Sequence, residues 1–129
     1  MNCSLDTNLV LALILPEREK EHFKATKLLA ENECHVADIV FAEIEFVLRK
    51  IYGLPRAIVV VNLRAITNHP KINSNKTLIN KALPLYQKHS ALSFVDCYLL
   101  IHAELNNLLP LYTFDKKLAN QSSGKAKQL

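Results

Sequence analysis

The chain has 129 residues, of which 50% are hydrophobic and 22% charged, so it is long enough to bury the core of one domain and too apolar for a disordered protein. Its two glycines and its lack of tryptophan disfavour an all-β fold, which needs many turns. The formal net charge of +4 favours an anionic partner, nucleic acid above all.

The sequence has no features of a membrane or secreted protein. The apolar stretch 9–15 is too short to cross a bilayer, and the first residues lack the basic groups of a signal peptide. The three cysteines, Cys3, Cys34 and Cys97, are scattered and form no C-x-x-C pair, which indicates neither a disulfide framework nor a zinc site. We therefore expect a cytoplasmic protein with reduced, mostly buried thiols and no membrane partner.

Short strand-like runs alternate with helical patterns along the chain. The predicted strands lie at residues 2–5, 34–37, 71–73 and 109–114. The predicted helices lie at 9–15, 17–31, 39–52, 55–66, 76–89, 94–107 and 115–119. Strands that alternate with helices form a parallel sheet, so the pattern indicates an α/β domain over residues 1–119. The polar residues 120–129 are expected to form a disordered tail.

Individual residues mark several element boundaries. Asn8 is placed to cap the first helix, because its side-chain oxygen can accept a free backbone N–H. Gly53 is placed to end the third helix, and Pro55 to begin the fourth. The β-branched run at 58–61 in that helix is more typical of a strand, and Pro84 should kink the helix that contains it.

Four acidic residues stand where elements meet or inside apolar segments: Asp6, Glu43, Asp96 and Asp115. Taken singly, each has an ordinary explanation, namely a helix cap for Asp6 and Asp115, a helix-dipole partner for Asp96, and a solvated side chain for Glu43. Open α/β sheets place their chemistry at the carboxyl ends of the strands. We therefore expect the four side chains to converge on one acidic pocket.

Such a pocket favours a divalent cation. Carboxylates at ~5 Å repel each other by roughly 3 kcal/mol per pair at an effective dielectric constant of ~20, and a cation removes that cost. Oxygen ligands with room for water suit Mg²⁺ or Mn²⁺ rather than Zn²⁺. A metal of this kind activates a water molecule and stabilises the charge that grows on a phosphate.

The motifs around these acids resemble those of PIN-domain ribonucleases, and most closely the VapC-type toxins of type II toxin–antitoxin systems. Leu5-Asp6-Thr7-Asn8 looks like the opening D-T-N of that family, and Phe41-Ala42-Glu43-Ile44 is similar to its second motif. Phe94-Val95-Asp96 looks like its third motif, and Thr113-Phe114-Asp115 is similar to the T-x-D at its last strand. The four short motifs occur in the family order, from Leu5 to about Leu118.

The resemblance implies a three-layer α/β fold, in which helices flank a central, mainly parallel sheet of four or five strands. It also implies an endoribonuclease that cleaves RNA phosphodiesters with a metal-activated water, and a cognate antitoxin protein as partner. Asp6, Glu43, Asp96 and Asp115 would hold Mg²⁺, with Mn²⁺ as an alternative, and Asn8 and Thr113 would support them. The chain departs from the family pattern in the third motif helix, where Cys97, Leu100 and His102 replace small residues.

Two other functions fit parts of the pattern. Asp6 after a strand is placed as the nucleophile of an aspartate-dependent phosphotransferase or phosphatase, although such enzymes generally carry a second aspartate where this chain has Asn8. A catalytically inactive PIN-like RNA-binding module is the second alternative, although it would normally lack one or more of the four acids.

The remaining expectations concern partners. Arg49, Lys50, Lys116 and Lys117 each lie near one of the four acids in sequence and are expected to bind RNA phosphates. Most of the aromatic residues near the motifs are expected to be buried, so specificity should come from RNA shape and single-stranded loops. The surplus of apolar residues at 58–63 favours a homodimer.

Overall fold

The computed structural model describes residues 2–129 as alternating strands and helices in two compact units. The first unit extends to Lys76, and the second comprises Thr77–Leu129. No helix within residues 2–129 is long and apolar enough to cross a membrane.

The first unit is built on a parallel three-stranded sheet. Its strands are β1 (Asn2–Ser4), β2 (Glu33–His35) and β3 (Ile72–Asn73), and they are ordered β1-β2-β3. Cys3 of β1 lies opposite Cys34 of β2, which in turn lies opposite Ile72 of β3. Because all three strands are parallel, their carboxyl ends share one edge of the sheet.

Four α-helices of the first unit follow these strands: α1 (Thr7–Ile14), α2 (Glu19–Glu31), α3 (Asp38–Phe46) and α4 (Arg56–Thr67). Helix α1 packs against α2 and α3, and α3 packs against α4. Buried apolar side chains fill the space between them, among them Leu5, Val10, Leu29, Phe41, Ile44 and Leu63. This core fixes the helices that begin at the carboxyl edge of the sheet.

A π-helical segment, Val47–Ile51, follows α3 directly. The Nε of Arg49 in this segment donates to Oε2 of Glu45 in α3 at 2.6 Å, and Glu45 is buried. Gly53, at φ +66°, then turns the chain, and the Leu54 N–H donates to the Leu48 carbonyl at 3.0 Å. A left-handed φ favours glycine, which explains why the helical stretch stops here.

The second unit contains most of α5 (Lys76–Lys88), together with α6 (Phe94–Leu105) and α7 (Lys116–Gln121). Tyr86 of α5 and Phe94 of α6 are fully buried and meet edge to face, with ring centroids 5.8 Å apart. A parallel pair of strands, β4 (Leu111–Thr113) and β5 (Ala126–Gln128), completes this unit.

The prediction of an α/β fold with a parallel sheet is confirmed. Within residues 2–129, five strands form, three in the first unit and two in the second. The β-branched run of α4 is helical because Val59 and Val60 are buried in the core, and burial outweighs their strand preference.

Two local expectations were wrong. Asp6, and not Asn8, caps α1, because the helix begins at Thr7 and Asn8 already lies inside it. Residues 120–129 are not a frayed tail in the structure: α7 runs to Gln121, and β5 pairs with β4. Ser122 orders this end, since its Oγ accepts the Ala126 N–H at 2.8 Å while Ala126 itself is buried.

An ion pair also contacts Lys125, the residue directly before β5. The Nζ of Lys125 donates to Oε2 of Glu104 in α6 at 2.8 Å. The hydrogen bond from Lys125 lowers the pKa of the Glu104 carboxyl below its ordinary value. Because both side chains are about two-fifths exposed, the pair adds little to stability.

Candidate active site

Asp6 lies at the carboxyl end of β1 in the first unit. Leu5 lies between the end of β1 and Asp6, and its N–H donates to the His35 carbonyl of β2 at 2.9 Å. The chain is therefore held against the sheet as far as the residue before Asp6. The Oδ1 of Asp6 accepts the Leu9 N–H at 2.9 Å and caps α1. The side chain is exposed, and its second oxygen makes no hydrogen bond with any residue in 2–129.

Glu43 lies in the middle of α3. Phe41 and Ile44, which lie before and after Glu43 in the sequence, are fully buried and hold the helix in the core. The Glu43 side chain is exposed and forms no hydrogen bond or ion pair within the described residues 2–129. Both of its oxygens are therefore available to a ligand.

A further carboxylate, Asp38, lies at the same edge of the sheet. It begins α3 three residues after β2, and its Oδ2 accepts a long hydrogen bond of 3.5 Å from Nδ2 of Asn75, which follows β3. All three parallel strands of this unit thus lead to an Asp or Asn side chain within three residues. Asp38 was not among the site residues expected from the sequence. Its position after a strand, the signal that selected Asp6, would have indicated it.

Asp96 lies in the first turn of α6 in the second unit. The Ser93 Oγ accepts the Asp96 N–H, and Asp96 Oδ2 accepts the Ser93 N–H, both at 3.0 Å. This reciprocal pair is a capping box, which satisfies two otherwise free backbone donors. The box holds Asp96 through one oxygen, and Oδ1 makes no hydrogen bond within residues 2–129.

Asp115 lies between β4 and α7 in the same unit. Its Oδ1 accepts the N–H groups of Lys117 at 2.8 Å and Leu118 at 3.2 Å, so it caps α7. The Thr113 Oγ1 accepts the Asp115 N–H at 2.9 Å, which fixes the backbone that carries the carboxylate. The Asp115 side chain is exposed, and its Oδ2 has no hydrogen-bond partner in the described chain.

The three aspartates of the motifs share one local arrangement. Asp6 and Asp115 cap helices, Asp96 lies in the first turn of one, and each accepts backbone N–H groups through one carboxylate oxygen. The helix N-terminus favours the negative charge, and the hydrogen bonds restrict the rotation of the side chain. Each aspartate therefore offers one oriented oxygen, whereas Glu43 offers two flexible ones.

This donor set fits a divalent cation in its chemistry. Carboxylate oxygens are the ligands that Mg²⁺ and Mn²⁺ prefer, and three of these four side chains are already oriented. Within residues 2–129, no group of three or more His, Cys, Asp and Glu side chains is gathered closely enough to hold a metal ion. Within these residues, Asp6, Asp96 and Asp115 are therefore each oriented by their own backbone hydrogen bonds, and not by a shared cluster.

The two supporting residues have different surroundings. Thr113 contacts Asp115 directly, as described above, and positions its backbone. Asn8 is exposed in the first turn of α1 and lines a groove of about 480 Å³ between α1 and α2. Leu9, Ala25 and Leu28 also line this groove.

The basic residues expected to bind RNA fall into two kinds. Lys50, Lys116 and Lys117 are exposed, and their side chains form no ion pair within residues 2–129. Arg49 is partly buried and is held by Glu45 one helical turn earlier. This pair was not predicted from the sequence.

The aromatic residues near the motifs are more exposed than expected. Phe41 is buried, but Phe46, Tyr52, Tyr112 and Phe114 are all exposed, and the expectation that most are buried was wrong. Phe114, which directly precedes Asp115, is 81% exposed. An aromatic ring held in water next to a carboxylate offers a flat surface on which a base can stack.

The departures from the family pattern in α6 are accommodated by packing. Cys97 and Leu100 are buried and add to the core of the second unit. His102 is exposed and stacks on Tyr98, with ring centroids 6.0 Å apart. The helix therefore forms in spite of its larger side chains.

Comparison with known families identifies the class of protein. A model of the PIN domain matches residues 4–122, which is most of the chain. The chain therefore belongs to the PIN-domain family. PIN domains are generally nucleases, and those nucleases generally use divalent metal ions. A comparison with curated proteins gives no match.

Proposed function

We propose that this protein is a metal-dependent endoribonuclease and the toxin of a type II toxin–antitoxin pair. The observation that carries the proposal is the local arrangement of the three motif aspartates. One carboxylate oxygen of each aspartate accepts backbone N–H groups at a helix N-terminus, and the other oxygen is available to a ligand. Membership of the PIN-domain family supports the same function.

In this proposal Asp6, Glu43, Asp96 and Asp115 hold Mg²⁺, for which Mn²⁺ can substitute. When bound, the metal supplies an activated water and offsets the charge that develops on the scissile phosphate. The chain's own residues orient the site. The caps fix the three aspartates, and Thr113 fixes the backbone of Asp115.

The exposed lysines Lys50, Lys116 and Lys117 supply positive charge for RNA phosphates on either side of the scissile one. Arg49, which also pairs with Glu45, adds its guanidinium charge. The exposed rings of Phe114 and Tyr112 favour unstacked bases, so a single-stranded substrate fits the surface better than a duplex.

The test is an assay of purified protein on a single-stranded RNA labelled at both ends, with Mg²⁺, with Mn²⁺, and with a chelator. We expect internal cleavage that needs metal and that is lost in the Asp6→Asn variant. Binding without cleavage in either metal would favour the inactive RNA-binding module. Transfer of phosphate from a small ester to Asp6, trapped as an acyl phosphate, would favour the phosphotransferase.

The toxin role and the partners need separate tests. We expect expression of the chain in bacteria to arrest growth, and co-expression of the neighbouring small reading frame to relieve the arrest. Growth arrest by the Asp6→Asn variant would contradict the link between toxicity and cleavage. A homodimer is also part of the proposal, supported by exposed Ile58 and Val61 on α4.

A further inference from the structure

Two cysteine thiols lie opposite each other in the first unit. Cys3 of β1 and Cys34 of β2 are Cα partners in the parallel ladder, and both are free thiols. The Cys34 Sγ donates to the Asn32 carbonyl at 3.8 Å. Neighbouring strands lie ~4.8 Å apart, and disulfides link Cα atoms that are ~4.4 to 6.8 Å apart. The pair is therefore within bonding range without a change of register.

The two thiols differ in access and in reactivity. Cys34 lies on the central strand and is fully buried, whereas Cys3 is partly exposed. Burial raises the pKa of the Cys34 thiol to about 11, and the neighbouring Cys3 thiol adds to the rise. Since the thiolate is the nucleophile, Cys34 reacts slowly with external reagents, and Cys3 is the thiol that such a reagent reaches first.

We propose that Cys3 and Cys34 are a modification site, at which a low-molecular-weight disulfide of the glutathione type converts the two thiols into a cross-strand disulfide. The Cys3 thiolate attacks one sulfur of the reagent, so a mixed disulfide forms on Cys3 and one reduced thiol leaves. Cys34 then loses its proton and attacks the Cys3 sulfur, which releases the second reduced thiol. Two protein thiols are oxidised by two electrons, and one reagent disulfide is reduced to two thiols.

The disulfide links β2 to β1, the strand that leads to Asp6. Asp6 follows Cys3 by three residues, and the Leu5 N–H donates to the His35 carbonyl of β2 at 2.9 Å, so the chain between the linked cysteine and Asp6 is held against β2.

The inference can be tested by counting thiols after exposure of the reduced protein to oxidised glutathione. Of the three cysteines, we expect two to be lost to alkylation and the third, Cys97, to remain after denaturation. Peptide mapping should recover Cys3 linked to Cys34. A glutathione adduct that persists on wild-type Cys3, a link that includes Cys97, a link between two chains, or no reaction would each overturn the proposal.

Single variants separate the two steps. Cys34→Ser should stop at the glutathione adduct on Cys3, Cys3→Ser should form neither adduct nor link, and Cys97→Ser should form the link as the wild type does. If Cys34→Ser does not fold, Cys34→Ala provides the same readout with an apolar side chain. The thiol count needs no RNA and no metal, so its outcome is independent of the proposed nuclease function.

A trivalent arsenical, phenylarsine oxide, provides a second probe because it bridges two adjacent thiols. We expect one equivalent to block two thiols of the wild type and of Cys97→Ser, but none stably in Cys3→Ser. Equal binding to Cys3→Ser and to wild type would contradict the paired site.

Discussion

At the scale of single residues, Asp96 has two roles that substitution can separate. Its Oδ2 completes the capping box of α6, and its Oδ1 is available to metal. Asp96→Asn keeps an oxygen acceptor for the cap but removes the negative charge. We expect the fold to persist and cleavage to fall by about 100-fold or more, since the charge stabilisation that a metal provides amounts to several kcal/mol.

The matched control for this variant is Ser93→Ala. It breaks the capping box and leaves the Asp96 carboxylate in place, so it should cost about 1 kcal/mol of stability with cleavage largely retained at a temperature where the protein is folded. Thermal unfolding and initial cleavage rates measure the two effects. Wild-type cleavage by folded Asp96→Asn would exclude a metal-binding role for Asp96.

Phe114 is exposed, so it can stack on an RNA base, whereas the sequence suggested that most aromatic residues near the motifs are buried. Its ring is 81% exposed beside Asp115, and a stacked base contributes about 1 to 3 kcal/mol. In the Asp6→Asn background, which prevents cleavage, Phe114→Ala should weaken binding of single-stranded RNA by about 5-fold to about 150-fold. Fluorescence anisotropy measures the affinity.

Phe23 provides the control for this change, because it is 69% exposed on α2 and distant in sequence from every motif. Phe23→Ala should leave RNA affinity unchanged. An equal loss of affinity in both variants would mean that general surface apolarity, and not stacking at Phe114, is responsible.

The raised pKa of the Cys34 thiol should make the free energy of unfolding depend on pH. Its pKa is raised from 9.0 to about 11 in the folded protein, so between these values the unfolded chain releases a proton that the folded chain keeps. Unfolding is then favoured as pH rises, and the stability lost begins near pH 9 and is complete near pH 11. Thermal unfolding in reductant should show a steeper alkaline decline in wild type than in Cys34→Ala. The same slope in both proteins would show that Cys34 is not the group responsible.

At the scale of elements, α4 carries the expected dimer contact. Its inner positions Val59, Val60 and Leu63 are buried in the core, and only Ile58 and Val61 remain as exposed apolar residues in the run 58–63. We expect Val61→Glu to convert a dimer into a monomer without unfolding it, as measured by sedimentation equilibrium. Phe23→Glu on α2 is the control and should remain dimeric. A wild type that is monomeric at tens of micromolar would contradict the dimer.

The element scale also shows what the sequence pattern predicts well and where it fails. The alternation of strands and helices was readable because buried residues recur with helical or strand periods. The cap of α1 was misassigned by two residues, because Asp6 and Asn8 are both good caps and only the backbone decides between them. Strand β5 was missed because the polar segment 120–129 is ordered by pairing with β4, a contact that no local pattern contains.

The candidate site was predictable in its residues but not in its local geometry. The four acids could be selected by their positions after strands and inside apolar segments. The oxygen that each aspartate uses for capping depends on backbone hydrogen bonds at Leu9, Ser93 and Lys117, which the sequence does not specify. The exposure of Phe114 likewise depends on the strand pairing around it.

At the scale of the whole molecule, charge should govern the encounter with RNA. The chain carries a net charge of +4 although its motifs are acidic, so its binding to single-stranded RNA should weaken as salt rises. Each phosphate contact contributes about −0.7 to the slope of log K against log salt for single strands. Lys116→Gln with Lys117→Gln should therefore make the slope shallower by about 1.4.

The control for the lysine pair is Arg49→Gln. This change removes one positive charge and the 2.6 Å ion pair with buried Glu45, so it should reduce stability and make the salt slope shallower by only about 0.7. Titrations of RNA by the Asp6→Asn protein at several salt concentrations measure the slope. Salt-independent binding would contradict an electrostatic contact with the phosphates.

The pairing of β5 with β4 has a practical consequence for recombinant work. The Leu129 N–H donates to the Thr113 carbonyl at 2.9 Å, and the hydroxyl of the same threonine accepts the Asp115 N–H. A purification tag fused after Leu129 would therefore be attached directly to a residue that is hydrogen-bonded to Thr113, and Thr113 supports Asp115. Removal of Leu129 would remove that bond. Activity measurements are best made on protein whose affinity tag has been excised and whose last residue has been verified by mass spectrometry.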